Sequence, residues 1–401
     1  MPILFLIVFV DLVGFGVIIP LLPFYGEHFQ ASPATVGLLM ATYSFTQFLS
    51  APVLGRLSDR LGRRPILCLS LAGAALSYLL LAFADHLWML FAARALGGIM
   101  AGNISTAFAY VADVTTPSNR ARGMGLIGAA FGLGFIFGPA IGGLLAGADP
   151  AHADYRSPAL VAFALSLTAL VLCLSVLKES LPMERRARSG DVTTSRWQWL
   201  RQALRDPGIK LIILMSFLAT FVFSGMETTF AMWSRRQFGW GPEQNGYLFA
   251  YVGILSALIQ GGLVGRLAPM FGERRLVAAG AMLLAIGMLL LPFSGSLWLL
   301  LAAMAAVATG FSMVTPSLNS LLSLQVGAGT QGGMMGVGRS ATTLARIVGP
   351  GFAGGLFHFL GRNWPFYAGA AIMVAVMVMA GRRAIEAPAA AQGPPATEAR
   401  P

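Results

Sequence analysis

The sequence predicts an all-α integral membrane protein, with twelve transmembrane helices arranged as two parallel six-helix bundles. Three observations predict it. Only 11% of the residues are charged and 56% are hydrophobic, with mean hydropathy +0.73, whereas soluble domains are about one quarter charged. Apolar runs of roughly 17 to 25 residues, the length that crosses hydrocarbon as a helix, follow one another along the chain. The chain also repeats itself: GLIGAAFGLGFIFGPAIGGL at 125–144 realigns on GVGRSATTLARIVGPGFAGG at 336–355, so that Gly138-Pro139 falls on Gly349-Pro350. GRLSDRLGRR at 55 realigns on GRLAPMFGERR at 265 at nearly the same offset.

The expected spans are 3–25, 34–54, 65–84, 87–111, 123–147 and 157–177 in the first half, and 209–233, 244–265, 275–294, 297–322, 331–357 and 364–381 in the second. The first span lacks a basic n-region and a small-residue cleavage site and runs on through Asp11, so it is read as a retained helix that starts in the bilayer. The second ends in the charge-rich stretch Gly55–Pro65, the fourth carries Arg94, and the fifth carries the Gly-Pro pair. In the second half the seventh carries Glu227 and the eleventh Arg339 and Arg346. The expected domains are residues 1–177, a cytoplasmic linker at 178–208, residues 209–381 and a disordered cytoplasmic tail at 382–401.

The net charge of +11 raises the question of nucleic acid, but its placement answers otherwise. Twenty of the 27 Lys and Arg lie in loops after even-numbered spans or in the tail, if Lys210 at the edge of the seventh span is included, and four in loops after odd-numbered spans. That asymmetry is the positive-inside signature, which puts both termini in the cytoplasm of a cell whose inner membrane holds the chain. Cys68 and Cys173 fall in separate apolar spans, read as belonging to different halves, so no disulfide is expected. Lys178 is followed by Glu and Lys210 by Leu, so no phosphate-binding GK[ST] loop exists and ATP-driven pumping is excluded. Four scattered histidines, His28, His86, His152 and His358, lie at or beyond the external span ends and supply neither a metal site nor a catalytic base. No enzyme, cofactor or metal is expected. The expected partners are a small-molecule substrate, protons and the lipid bilayer, with the chain acting as a monomer.

Ionisable groups inside a bilayer are costly and point to mechanism. Asp11 and Glu227 are the acids well inside spans, and Arg94 and Arg346 are the cations available to them, which suggests the pairs Asp11–Arg94 and Glu227–Arg346. Two readings stand for each acid: proton carrier, because desolvation favours the protonated form of a carboxyl group and a cation opposes it, or permanent scaffold. Gly134, Gly138 and Gly142 recur every fourth residue and form a flat ridge for close helix approach, next to a bend expected at Pro139. The ridge is either plain packing or a seal between halves. Gln47, Asn103, Gln260 and Asn319, with Tyr43, Phe131, Phe230, Trp233, Tyr247 and Tyr251, are candidates for a path that suits an amphipathic compound of drug size. Each has the alternative of joining helices or filling a core. Asn103-Ile104-Ser105 reads as a glycosylation sequon but lies in the membrane and is dismissed.

GRLSDRLGRRP resembles the signature loop between the second and third helices of the major facilitator superfamily. DLVGFGVIIPLLP (Asp11–Pro23) and AARALGGIMAGN (Ala92–Asn103) resemble the first- and fourth-helix motifs of its twelve-helix drug:proton antiporter branch, the tetracycline efflux proteins in particular. Gly125, Gly134, Gly138, Pro139, Gly142 and Gly143 match that branch's fifth-helix antiporter motif. The resemblance is dense over the first 150 residues and thin beyond. It implies the major facilitator fold and proton-coupled efflux of a drug-like compound, tetracycline among the candidates, by alternating access. An exporter or importer of a metabolite on the same fold is the alternative. It also implies a cytoplasmic gate in which Gly55, Asp59 and Arg60 meet the start of the eleventh helix near Gly332 and Gly333, and Arg63 pairs with Asp113. In three places the second half departs from the tetracycline pattern: Glu227 stands at an uncharged polar position, Arg346 is an added charge, and Pro269 replaces the counterpart of Asp59.

Overall fold

The computed structural model describes residues 2–181, 196–326 and 330–381, apart from the side chains of residues 103, 117, 118, 121, 196 and 197. The expected tail at 382–401 and residues 182–195 of the expected linker lie outside the described residues. Among the described residues there are sixteen α-helices, fifteen of which make twelve rods. In the first half these are α1 (Pro2–Ile18) with α2 (Leu22–His28), α3 (Pro33–Leu61), α4 (Arg63–Ala82), α5 (Leu87–Ile99) with α6 (Asn103–Val114), α7 (Pro117–Ala146) and α8 (Arg156–Ser175). A short amphipathic helix, α9 (Arg196–Arg205), leads into the second half. There follow α10 (Pro207–Phe238), α11 (Pro242–Leu258) continuing through a π-helical turn at Ile259–Leu263 into α12 (Val264–Phe271), α13 (Glu273–Leu290), α14 (Leu297–Leu324), α15 (Gln331–Phe359) and α16 (Trp364–Ala380).

Among the described residues nine helical stretches are long and apolar enough to cross a membrane, and Trp364–Ala380 is a shorter apolar one. The remaining two rods, α3 and α15, are long but interrupted by polar residues such as Thr42, Thr46 and Gln47 in one and Arg339, Ser340, Thr343 and Arg346 in the other. Local breaks follow local chemistry. Pro20 lacks a donor and ends α1, Gly97 and Gly98 precede the turn between α5 and α6, and Gly261-Gly262 sit in the π turn. Asp206 caps α10, accepting from Gly208 and Ile209 N–H at 2.8 and 3.0 Å, while Ser32 and Ser296 cap α3 and α14.

Helices in lipid gain little from the hydrophobic effect, so the rods must associate through close packing. Many of the 48 glycines serve this, such as Gly138 against Gly16 and Gly280 against Gly310. The second half holds a large core around Phe230, Trp233, Phe366 and Met304 and a small one around Ile259, Val264, Leu276 and Met313. The first half holds two, one around Tyr25, Leu81 and Tyr155 and one around Leu4, Leu67 and Cys173.

The internal repeat appears in the contacts. Gly62 and Gly272 adopt φ of 109° and 80° at matching turns before the third and ninth rods, a conformation glycine adopts without a Cβ penalty. Directly after them Arg64 reaches the carbonyls of Cys173 and Leu174, and Arg274 those of Ala380 and Gly381, so each half ties an arginine to the carbonyl end of its own sixth rod. Trp88 and Trp298, 65% and 80% exposed, begin corresponding rods as interfacial aromatics do. The end that carries residues 55–64, around the Gly62 turn, is called the basic end below, and the opposite one the distal end.

Candidate functional site

Between the halves lies a cavity of 1170 Å³, lined from both. It exceeds the roughly 300 to 1,000 Å³ that usually holds a drug-sized ligand, leaving room for water as well. The first half contributes Asp11 and Phe15 from α1, Tyr43 and Gln47 from α3, Arg94 from α5 and Phe131 from α7. The second contributes Glu227 from α10 and a stripe of α15, Gly332, Gly336, Arg339, Thr343 and Arg346, spaced so that all lie on one helix face. Trp199 and Leu200 of α9 line its basic end.

Glycines report how far the halves stand apart along the cavity. A Cβ built on Gly55, Gly125, Gly332 or Gly336 would meet nothing within 4 Å, so the basic end is open. Towards the distal end the halves touch backbone to backbone. Gly37 of α3 lies against the Pro350 carbonyl of α15, and Gly246 of α11 against the Pro139 carbonyl of α7, so that a side chain at either glycine would collide. Gly253 approaches the Phe135 carbonyl, which loses its helical donor because Pro139 stands four residues on. Glu243 N–H donates to Gly147 O at 3.2 Å across the same interface. An ion-pair cluster closes that end: Glu27 of α2, its side chain 11% exposed, takes Arg235 at 3.0 Å and Arg236 at 3.5 Å from α10.

Asp11 is buried and accepts from Ser166 Oγ at 3.1 Å. Arg94 is buried with its guanidinium 4.4 Å above the Tyr43 ring, and its Nε finds no hydrogen-bond partner among the described residues. Neither expected pair, Asp11–Arg94 or Glu227–Arg346, is among the ion pairs of the described residues, all of which lie elsewhere. Instead, Glu227 lies within electrostatic reach of both Arg346 and Arg94, so the acid of one half faces cations of both. The expected partner Arg346 acts on Glu227 together with Arg94 of the opposite half, because facing helices of the two halves share the cavity wall.

At the basic end Arg63 forms the centre of a network within the first half. It donates to Asp113 Oδ2 at 2.9 Å, Asp59 Oδ1 at 2.6 Å and Ser58 Oγ at 3.1 Å. Arg60 is exposed. Asp59, in the last turn of α3, therefore rests on Arg63 and not at the start of α15, where a Cβ on Gly333 would collide with the Trp199 indole. Sequence reasoning missed Glu179, whose carboxylate accepts from Arg63 N–H at 2.9 Å and Arg64 N–H at 3.2 Å, capping α4 where Gly62 offers no side chain.

The fifth-rod glycines divide by face. Gly134, Gly138 and Gly142 pack on Leu12, Gly16 and Val17 of α1, inside their own half, whereas Gly143 and Pro139 meet the second half. Of the expected path residues Tyr43, Gln47 and Phe131 line the cavity. Phe230 and Trp233 do not: both are fully buried in the second-half core, with Trp233 Nε1 donating to Asn363 Oδ1 at 3.0 Å. Tyr251 packs against the same core, Gln260 donates to Ser312 Oγ at 3.2 Å, Asn319 is exposed and off the cavity, and the Asn103 side chain lies outside the described residues. The expectation for the cysteines is also corrected: Cys68 and Cys173 belong to the same half, on adjacent α4 and α8, with their Sγ atoms 3.1 Å apart as free thiols.

Comparison with known proteins agrees with this architecture. The family model described as Major Facilitator Superfamily matches residues 4–270 and 261–401. The tetracycline resistance protein, class C, of Escherichia coli is 34% identical over 361 residues, 88% of each chain. Multidrug resistance protein 2 of Bacillus subtilis (strain 168) is 32% identical over 92% of this chain and 90% of its own. The crystal structure of the human organic anion transporter MFSD10 (TETRAN) matches with a TM-score of 0.70 at 29% identity, over 94% of this chain and 98% of that one. With its two six-rod halves closing on one shared cavity, the chain belongs to the Major Facilitator Superfamily of membrane transporters.

Proposed function

We propose that the chain is a secondary active transporter that exports a small amphipathic compound in exchange for protons, working by alternating access as a monomer in the cytoplasmic membrane. The observation that carries the reading is the cavity itself. It is lined from both halves, open at the basic end, closed at the distal end, and it holds two carboxylates, Asp11 and Glu227, at membrane depth. The positive-inside asymmetry puts the basic end and both termini in the cytoplasm, so this conformation faces inward. Tetracycline and other drug-like compounds are candidate cargo because resistance proteins are among the relatives.

A carboxylate changes its hold on a neighbouring cation when it takes up a proton, which gives Glu227, facing Arg346 and Arg94, a means of coupling. Rocking outward closes the basic end. Asp59 and Gly55 then meet the start of α15, and Trp199 leaves Gly333 to admit them.

Proteoliposomes test the coupling. With Asp11→Asn and Glu227→Gln, proton flux driven by export of a tetracycline or a cationic dye falls to background in at least one variant. Wild-type rate and pH dependence in both would overturn it.

A further inference from the structure

Three arginines face the cavity against two carboxylates, and one of the three is not accounted for by the coupling scheme. Arg339 sits eight residues into α15, exposed on the cavity wall and two turns from Arg346. No carboxylate lies within 4.0 Å of it among the described residues; its guanidinium instead rests over the Phe108 ring of the opposite half, 5.2 Å from the centroid. The hydroxyls around it are spent locally: Thr342 and Thr343 each donate to the Arg339 carbonyl at 2.9 Å, and Ser340 to Gly336 O at 3.0 Å. On the same face Gly332 and Gly336 leave open space beside it.

A charge placed inside a span without an ionic partner costs several kcal/mol unless water or a ligand solvates it. The five donors of the guanidinium form a planar fork that fits a carboxylate, sulfonate or phosphate bidentately, more strongly than the face of an aromatic ring holds a cation. We propose that Arg339, with the space left by Gly332 and Gly336, is an anion-binding subsite. The transported compound is then an amphipathic molecule bearing an acidic group, with its apolar body against Phe48, Phe131 and Phe135 of the facing wall. This rests on the transporter reading and names its substrate class. It also separates two tasks on one helix: Arg346 faces the proton-carrying acid Glu227, and Arg339 faces the cargo.

The test uses two dyes that share a xanthene core, fluorescein as the anion and rhodamine 6G as the cation, bound to the full-length protein in lipid nanodiscs and read by fluorescence anisotropy. Arg339→Gln weakens fluorescein by about tenfold or more while rhodamine 6G stays within about twofold, and Arg339→Lys, keeping charge without the fork, falls between. Retained rhodamine 6G binding controls for folding. The inference is overturned if the wild type does not bind fluorescein, if Arg339→Gln leaves its affinity unchanged, or if both dyes weaken alike. Failure of the transport reading would look different: binding of both dyes would persist while neither moves across a proteoliposome membrane.

Discussion

Replacing Glu27 by Gln removes the charge that joins the halves at the distal end. At 3.0 Å, with an effective dielectric of about 20, the attraction between Glu27 and Arg235 is roughly 5 kcal/mol before solvation is counted. The arginine side chains, 36% and 43% exposed, and Glu27, 11% exposed while the contact is closed, recover much of this from water when it opens. The net contribution is therefore about 1 to 2 kcal/mol, present only while the distal end is closed. Its loss shifts the balance between inward- and outward-facing states by about tenfold. The assay is maleimide labelling of a reporter cysteine, Ala34→Cys, beside the Gly354–Pro33 contact, in a background with Cys68→Ser and Cys173→Ser. Labelling accelerates about tenfold in Glu27→Gln, and adding Arg235→Gln accelerates it little further, since both act on one contact. An unchanged rate, or fully additive effects of the two substitutions, would refute the idea that this cluster holds the distal end shut.

Three further outcomes are expected. Gly246→Ala and Gly37→Ala drive a methyl group into the Pro139 and Pro350 carbonyls, so the same labelling rate rises in each; a rate equal to wild type would show that the backbones separate without penalty. Glu179→Gln weakens the cap on α4 by about 1 kcal/mol and lowers the thermal midpoint of the purified protein, while Glu179→Ala lowers it more; equal midpoints would contradict the capping role. Diamide oxidises the Cys68 and Cys173 thiols to a disulfide, itself being reduced to the hydrazine. Intact mass then falls by two hydrogens and transport persists, because α4 and α8 belong to one rigid half. Loss of transport on oxidation would mean that these helices move against each other.

Much of the fold was legible because membrane insertion imposes a long apolar run on most rods, and because Gly138-Pro139 and Gly349-Pro350 mark the repeat. The intramembrane charges Asp11, Arg94, Glu227 and Arg346 led to the cavity, since each is costly anywhere else. Which way an aromatic faces was not legible. A helix apolar all round carries no amphipathic signal, so Trp233 in the core and Phe131 on the cavity wall look alike in the sequence. Contacts between distant segments were equally hidden: Glu27 and Arg235 lie 208 residues apart, and Glu179 and Arg63 lie 116 apart. One signal was available and unused. Gly332, Gly336, Arg339, Thr343 and Arg346 form a polar stripe at helical spacing in an otherwise oily rod.

The distal crossings, Gly37 on Pro350 and Gly246 on Pro139, are made of bare peptide, with no side chain between the two chains of atoms. Side chains can be exchanged one at a time, but a backbone surface offers nothing to exchange. The positions on which the two halves pivot are thus locked together as a set, whereas the threonines, serines and arginines of the cavity wall can each be altered singly. A protein built this way can change what it carries while keeping how it moves.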